Sequence, residues 1–283
     1  MQTHYYTTIH GTLAYYTWGS GKKPLVCLHG YGELAENFRF LEPHLAGEFS
    51  VLCIDFPHHG NSQWVRTTAA LLPQELIQLI QQVFGEQKFT LLAYSMGGRV
   101  ALQLLQVLPK QLEKVVLLAP DGFHKNFWQR FATQTSLGQK VFKGIVKNPR
   151  PVYYVLKRLV RFQLFNKSVY KFADSYLHIP EVRQELYKRW MVMRKFQPQL
   201  NTIQKNIQQY PIPITLVFGK YDRIIIPKHG YTFVQQCGSK HIQLIEWSDG
   251  HQLLKPKHAP AIAKLLTVNV PKGKNSIFGK RKK

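Results

Sequence analysis

An α/β architecture, with a mostly parallel central sheet flanked by helices and a helical cap inserted into it, is what the 283 residues predict. Three observations carry that expectation. Short apolar runs recur at 23–28, 50–55, 89–94, 114–120, 214–219 and 241–247, and most are continuous, as suits strands buried on both faces. Helix-like patterns lie between them, for instance at 67–84 and 96–108, so successive strands connect through right-handed crossovers. From 122 to 203 the rhythm stops: the segment is helical, aromatic and basic, with no strand-like run, and it is expected to cover one end of the sheet.

Taken in order, residues 1–19 alternate like the two strands of a hairpin. They lack the basic run and apolar stretch of a secretory signal. The sheet-forming part then comprises 1–121 and 204–270, the cap 122–203, and a basic tail 271–283 that is expected to be disordered. No run approaches the roughly 18 apolar residues of a membrane-spanning helix. Three cysteines, Cys27, Cys53 and Cys237, match neither a disulfide framework nor a zinc site, which points to a cytoplasmic setting.

The formal net charge is +23. It is unevenly spread: the insertion holds 16 Lys and Arg against three acids, and the tail six against none. A basic cap suggests an anionic or lipid-like substrate, or peripheral contact with an anionic membrane through cap or tail. Residues 151–165 mix aliphatic and aromatic side chains with Lys157, Arg158 and Arg161, the composition of a segment that docks on lipid; a cap helix with a solvated basic face has the same composition. No motif for specific nucleic-acid binding accompanies the charge.

The chemistry is signalled by Leu91-Leu92-Ala93-Tyr94-Ser95-Met96-Gly97-Gly98-Arg99. A buried strand ends at a serine between small residues and passes directly into a helix, a turn that pushes the hydroxyl out above the sheet. Serine needs a general base oriented by a third group. Trp247-Ser248-Asp249-Gly250-His251 places a histidine just past the last strand, and Phe218-Gly219-Lys220-Tyr221-Asp222 places a carboxylate just past the strand before it. Asp249 is the alternative acid, but a near sequence neighbour seldom reaches the far ring nitrogen of its histidine, so Asp222 is preferred. His229, His241 and His258 are alternative bases; His241 begins a strand and His258 approaches a helix, so neither has the loop position of His251. Leu28-His29-Gly30-Tyr31-Gly32 follows the first buried strand, and the backbone N–H groups of Tyr31 and Met96 are the expected donors to a developing oxyanion.

With these residues in place the chain resembles the α/β-hydrolase fold superfamily, over about 8–122 and 204–266. The likeness rests on LHGYG, on DFPHHGNS (55–62), on AYSMGG, on GKYD and on SDGHQ. His58 stands where the family turn usually carries glycine. The resemblance implies a serine hydrolase with Ser95, Asp222 and His251 as triad, cleaving an ester or related acyl bond through an acyl-enzyme without metal or organic cofactor. Tyr94-Ser95-Met96-Gly97-Gly98-Arg99 is also similar to the menaquinone-pathway synthase that eliminates pyruvate from an anionic precursor, which implies substrate contacts for Tyr94 and Arg99. A non-catalytic binder of a small ligand is the rival outside enzymes, and an intact Ser, Asp and His set speaks against it.

Overall fold

The computed structural model describes residues 2–124, 126–161 and 177–268. The expected amino-terminal hairpin consists of β1 (Gln2–Thr8) and β2 (Gly11–Trp18), paired antiparallel. The six apolar runs become β3 (Lys23–Leu28), β4 (Phe49–Ile54), β6 (Phe89–Tyr94), β7 (Leu112–Leu118), β8 (Ile214–Gly219) and β9 (Ile242–Trp247). A two-residue strand, β5 (Gln63–Trp64), pairs with β2 and was not foreseen. The sheet order is β1-β2-β4-β3-β6-β7-β8-β9, and every neighbouring pair from β4 to β9 runs parallel. Helices on both faces account for the continuous apolar runs: Leu25, Val26, Cys27 and Leu28 are all fully buried, as are Leu91, Leu92 and Ala93.

The described residues divide into two compact units. The first takes the chain up to Trp64, then Leu72–His124, then Phe196 onward; it holds the sheet, α1 (Glu42–Leu45), α2 (Pro73–Phe84) and α3 (Met96–Val107). The second takes Val65–Leu71 and the stretch between His124 and Phe196, with α4 (Phe127–Gln134), α5 (Ser136–Lys147), α6 (Arg150–Arg161) and α7 (Pro180–Val192). Buried Phe142 of α5 meets two half-buried rings of α7, Tyr187 edge-on at 5.1 Å and Trp190 at 5.5 Å. The basic tail 271–283 and residues 162–165 of the aromatic and basic stretch lie outside the described residues.

The helix expected over 67–84 begins only at Pro73. Proline disfavours a helical residue before it, and Leu72 is extended, with its N–H held by the Glu75 carboxylate at 2.9 Å. The residues just before it belong to the second unit, where Leu71 N–H donates to Val192 O at 2.9 Å. After the second unit come α8 (Leu200–Gln209), whose first residues fall within the span 122–203 expected for the cap, α9 (Pro227–Cys237) and α10 (Ala259–Thr267). Helix α8 belongs to the first unit: Asn206 Nδ2 donates to the carbonyls of Leu105 and Gln106 at the end of α3. Lys114, buried within β7, donates its ammonium to the carbonyls of Leu266 at 2.6 Å and Val268 at 3.0 Å, satisfying carbonyls left open at the end of α10. Among the described residues no helix is long and apolar enough to cross a membrane.

Candidate active site

Ser95 is where β6 becomes α3, and its backbone is strained. It sits at φ 49 and ψ −113, which a non-glycine residue rarely adopts. Strand β7, the chain leaving it and the first turn of α3 hold it there. Its N–H donates to Leu118 O at 2.9 Å, and its carbonyl accepts from Gly98 N at 2.8 Å and Asp121 N at 2.9 Å. The glycine at 97 is required by a close approach, since a Cβ there would lie 2.2 Å from Leu28 O and 2.7 Å from His29 O.

The turn aims the Ser95 hydroxyl at His251, with Oγ 3.0 Å from Nε2. On the other side of the ring, Nδ1 lies 2.7 Å from Asp222 Oδ2. An ionised carboxylate only accepts, so Nδ1 carries the proton and Nε2 is left to accept from Ser95. The Asp222 side chain has no solvent exposure, and its Oδ1 accepts from the N–H groups of Ile224 at 2.8 Å and Ile225 at 2.9 Å. The loops bearing Asp222 and His251 are joined directly: Lys220 N–H donates to Trp247 O and Tyr221 N–H to Asp249 O.

The alternative acid is occupied elsewhere. The Asp249 carboxylate pairs with the Lys257 ammonium and meets His258 Nε2 at 3.0 Å. Lys257 first, then His258, hold it well below the usual carboxylate range. Trp247 stacks on His258 with centroids 4.5 Å apart. His229 stacks on His124 at 4.4 Å; burial, followed by the charges of His124 and Lys228, pushes its pKa down.

Beside Ser95 lies the loop that follows β3. A Cβ on Gly30 would come 2.8 Å from the Tyr94 ring and 3.2 Å from Ser95 Cβ, so the backbone leading to Tyr31 runs against the serine. Met96 opens α3, where the first amides have no partner within the helix. Two histidines fix this loop. His59 Nε2 accepts from Gly32 N at 3.2 Å while Nδ1 donates to Pro57 O at 3.0 Å. His29 Nε2 accepts from Phe56 N at 3.0 Å. His59 was not singled out from the sequence; the signal was its place in the turn after β4, the strand that pairs with β3. His58 adopts φ 61, which gives a physical reason for glycine being usual there. Asp55 ties the same turn together, accepting from Ala35 N at 2.7 Å, Asn61 N at 3.0 Å and Tyr16 Oη at 3.2 Å.

Tyr94 and Arg99, the residues offered for substrate contact, both have protein partners. Tyr94 is 1% exposed, its hydroxyl donates to His251 O at 3.4 Å, and burial pushes its pKa up, so it stays a neutral donor. Arg99 pairs with Asp121, whose other oxygen accepts from Gly122 N at 2.6 Å.

A family model described as the alpha/beta hydrolase fold matches residues 23–256. The chain belongs to the alpha/beta hydrolase family. Its relatives include an uncharacterized hydrolase, YugF, of Bacillus subtilis, 32% identical over 42% of this chain and 45% of the relative. A pimeloyl-[acyl-carrier protein] methyl ester esterase of Edwardsiella ictaluri is 31% identical over 38% of this chain and 40% of the relative. The matches thus span less than half the length of these relatives. Among solved structures, a thermophilic esterase from Thermogutta terrifontis aligns with a TM-score of 0.63 at 17% identity, covering 94% of this chain and 100% of that one. At that identity the likeness is one of fold. Within this alpha/beta hydrolase a serine, a histidine and a buried carboxylate are linked by two hydrogen bonds, an arrangement able to deprotonate a nucleophile.

Proposed function

We propose that the protein is a serine hydrolase acting on an ester or related acyl bond, with Ser95, His251 and Asp222 as its triad. The observation that carries the proposal is the unbroken relay from Ser95 Oγ to His251 Nε2 at 3.0 Å and from Nδ1 to Asp222 at 2.7 Å. The esterase name of one relative supports the ester class. In the first half-reaction His251 Nε2 takes the Ser95 proton as Oγ bonds to the carbonyl carbon, and the C=O electron pair moves onto oxygen. The backbone amides of Tyr31 and Met96 receive that oxyanion. Collapse expels the leaving group, which takes the proton from His251 and leaves the acyl group on Ser95. A water molecule then gives a proton to His251, attacks the acyl carbon, and Ser95 departs with the proton returned. Asp222 keeps Nδ1 protonated throughout and stabilises the imidazolium without becoming protonated. Elimination from an anionic precursor would ask Arg99 to hold a substrate carboxylate, and that guanidinium already faces Asp121.

The test is labelling with a fluorophosphonate, followed by peptide mapping. The adduct is expected on Ser95, and Ser95→Ala is expected to lose both the label and turnover of short p-nitrophenyl esters. An adduct on another residue, or full turnover by Ser95→Ala, would overturn the mechanism.

A further inference from the structure

Residues 126–161 contain eight Lys and Arg and no Asp or Glu. Three consecutive helices of the second unit carry them, with α4 against α5 and α5 against α6. Their outer faces are apolar as well as basic. On α5 the exposed residues Leu137, Lys140, Val141 and Gly144 fall at i, i+3, i+4 and i+7, flanked by exposed Lys143 and Lys147, while Gly138 and Phe142 turn inward. At the start of α4, Phe127 and Trp128 are 69% and 71% exposed. On α6, Arg150, Tyr154 and Arg158 recur at one-turn spacing beside exposed Val155, and the Arg158 guanidinium sits 4.7 Å from the Tyr154 ring centroid.

A face that served solubility alone would need the cations and not the exposed Trp, Phe, Leu and Val. We infer that the outer face of α4, α5 and α6 is a docking surface for an anionic lipid bilayer. Lys and Arg at a negatively charged headgroup layer each strengthen attachment, and aromatic and aliphatic side chains enter the interfacial region beneath it. The aliphatic residues favour a bilayer over nucleic acid, since Leu137, Val141 and Val155 offer neither stacking nor hydrogen bonds to bases. The charge disfavours a second copy of the chain, because like patches would meet. The inference stands independently of whether Ser95 reacts.

The experiment is co-sedimentation of the full chain with phosphatidylcholine vesicles, with and without phosphatidylserine, at 0.1 M and 0.5 M salt. Partition is expected only with phosphatidylserine present, and it should weaken with salt. The variant K140Q/K143Q/K147Q loses about fivefold per cation, or about 100-fold in all. Phe127→Ser with Trp128→Ser should weaken binding to the anionic vesicles at both salt concentrations. Equal binding to both vesicle types, or an unchanged partition for either variant, overturns the proposal. So does a tighter salt-matched complex with a single-stranded oligonucleotide, or a partition that falls as protein concentration rises because self-association hides the face. Thermal melts of the variants show whether the fold is retained, and the single substitutions Lys140→Gln and Trp128→Ser carry the comparison if a combined variant does not fold.

Discussion

Replacing Asp222 by asparagine tests the proposed relay more sharply than removing it. The structure dictates how the amide would sit. Oδ1 of Asp222 accepts two backbone N–H groups, from Ile224 at 2.8 Å and Ile225 at 2.9 Å, so the amide oxygen must stay on that side. The NH₂ group then faces His251 Nδ1, which becomes an acceptor, and the ring proton moves to Nε2. A protonated Nε2 cannot take a proton from Ser95. A wrong tautomer of this kind lowers kcat by about 10⁴, or roughly 5.4 kcal/mol of barrier. Asp249→Asn removes a carboxylate that faces Lys257 and His258 and leaves Nδ1 untouched, so its loss in kcat should stay below about tenfold. Stopped-flow turnover of p-nitrophenyl butyrate by the two variants, each first shown by circular dichroism to be folded, gives the comparison. A larger loss for Asp249→Asn, or an Asp222→Asn enzyme within tenfold of the parent, would refute the assignment of the acid.

Three further outcomes follow from the same geometry. Ser95→Gly should be inactive yet slightly more stable: relief of the φ 49 conformation is worth about 1–3 kcal/mol against roughly 1 for glycine's added chain entropy, a rise in Tm of about 2 °C by calorimetry. Gly97→Ala should destabilise by about 3 kcal/mol, because the added methyl meets Leu28 O at 2.2 Å and a backbone carbonyl cannot step aside; a fall in the urea midpoint together with slower fluorophosphonate labelling checks it. The third concerns pH. The Asp249 carboxyl is held below its unfolded value, so its contribution is full above about pH 4 and fades as pH falls below that. Paired melts should therefore find Asp249→Asn less stable than the parent at pH 7, with the gap narrowing at pH 2.5.

Much of the fold is written in the local chemistry of the strands. Runs such as Leu25–Leu28 and Leu91–Ala93 are apolar without alternation because both faces are covered, which is visible in one dimension. The turn at Ser95 was legible for a similar reason: small residues at 93, 97 and 98 are needed wherever two strands and a helix start converge. What the sequence does not display is which of several like groups meet. Asp249 and Asp222 are both carboxylates past a strand, and only the fold turns one to His258 and the other to His251. His59 belongs to the same class, since its role depends on Gly32, 27 residues away. The later start of α2 has a local cause, Pro73, before which Leu72 is extended, while the buried Ala70 and Leu71 belong to the second unit.

The three backbone hydrogen bonds at Ser95 also bear on how the reactive group fails. Its amide is tied to β7, and its carbonyl is shared between the first turn of α3 and the chain leaving β7. Releasing the residue therefore means parting the central strands, among the last elements of such a molecule to open. The serine has no private route to disorder. Active-site titration along a thermal or urea ramp would then count folded molecules, and an inactive yet folded population should not build up ahead of the collapse of the sheet.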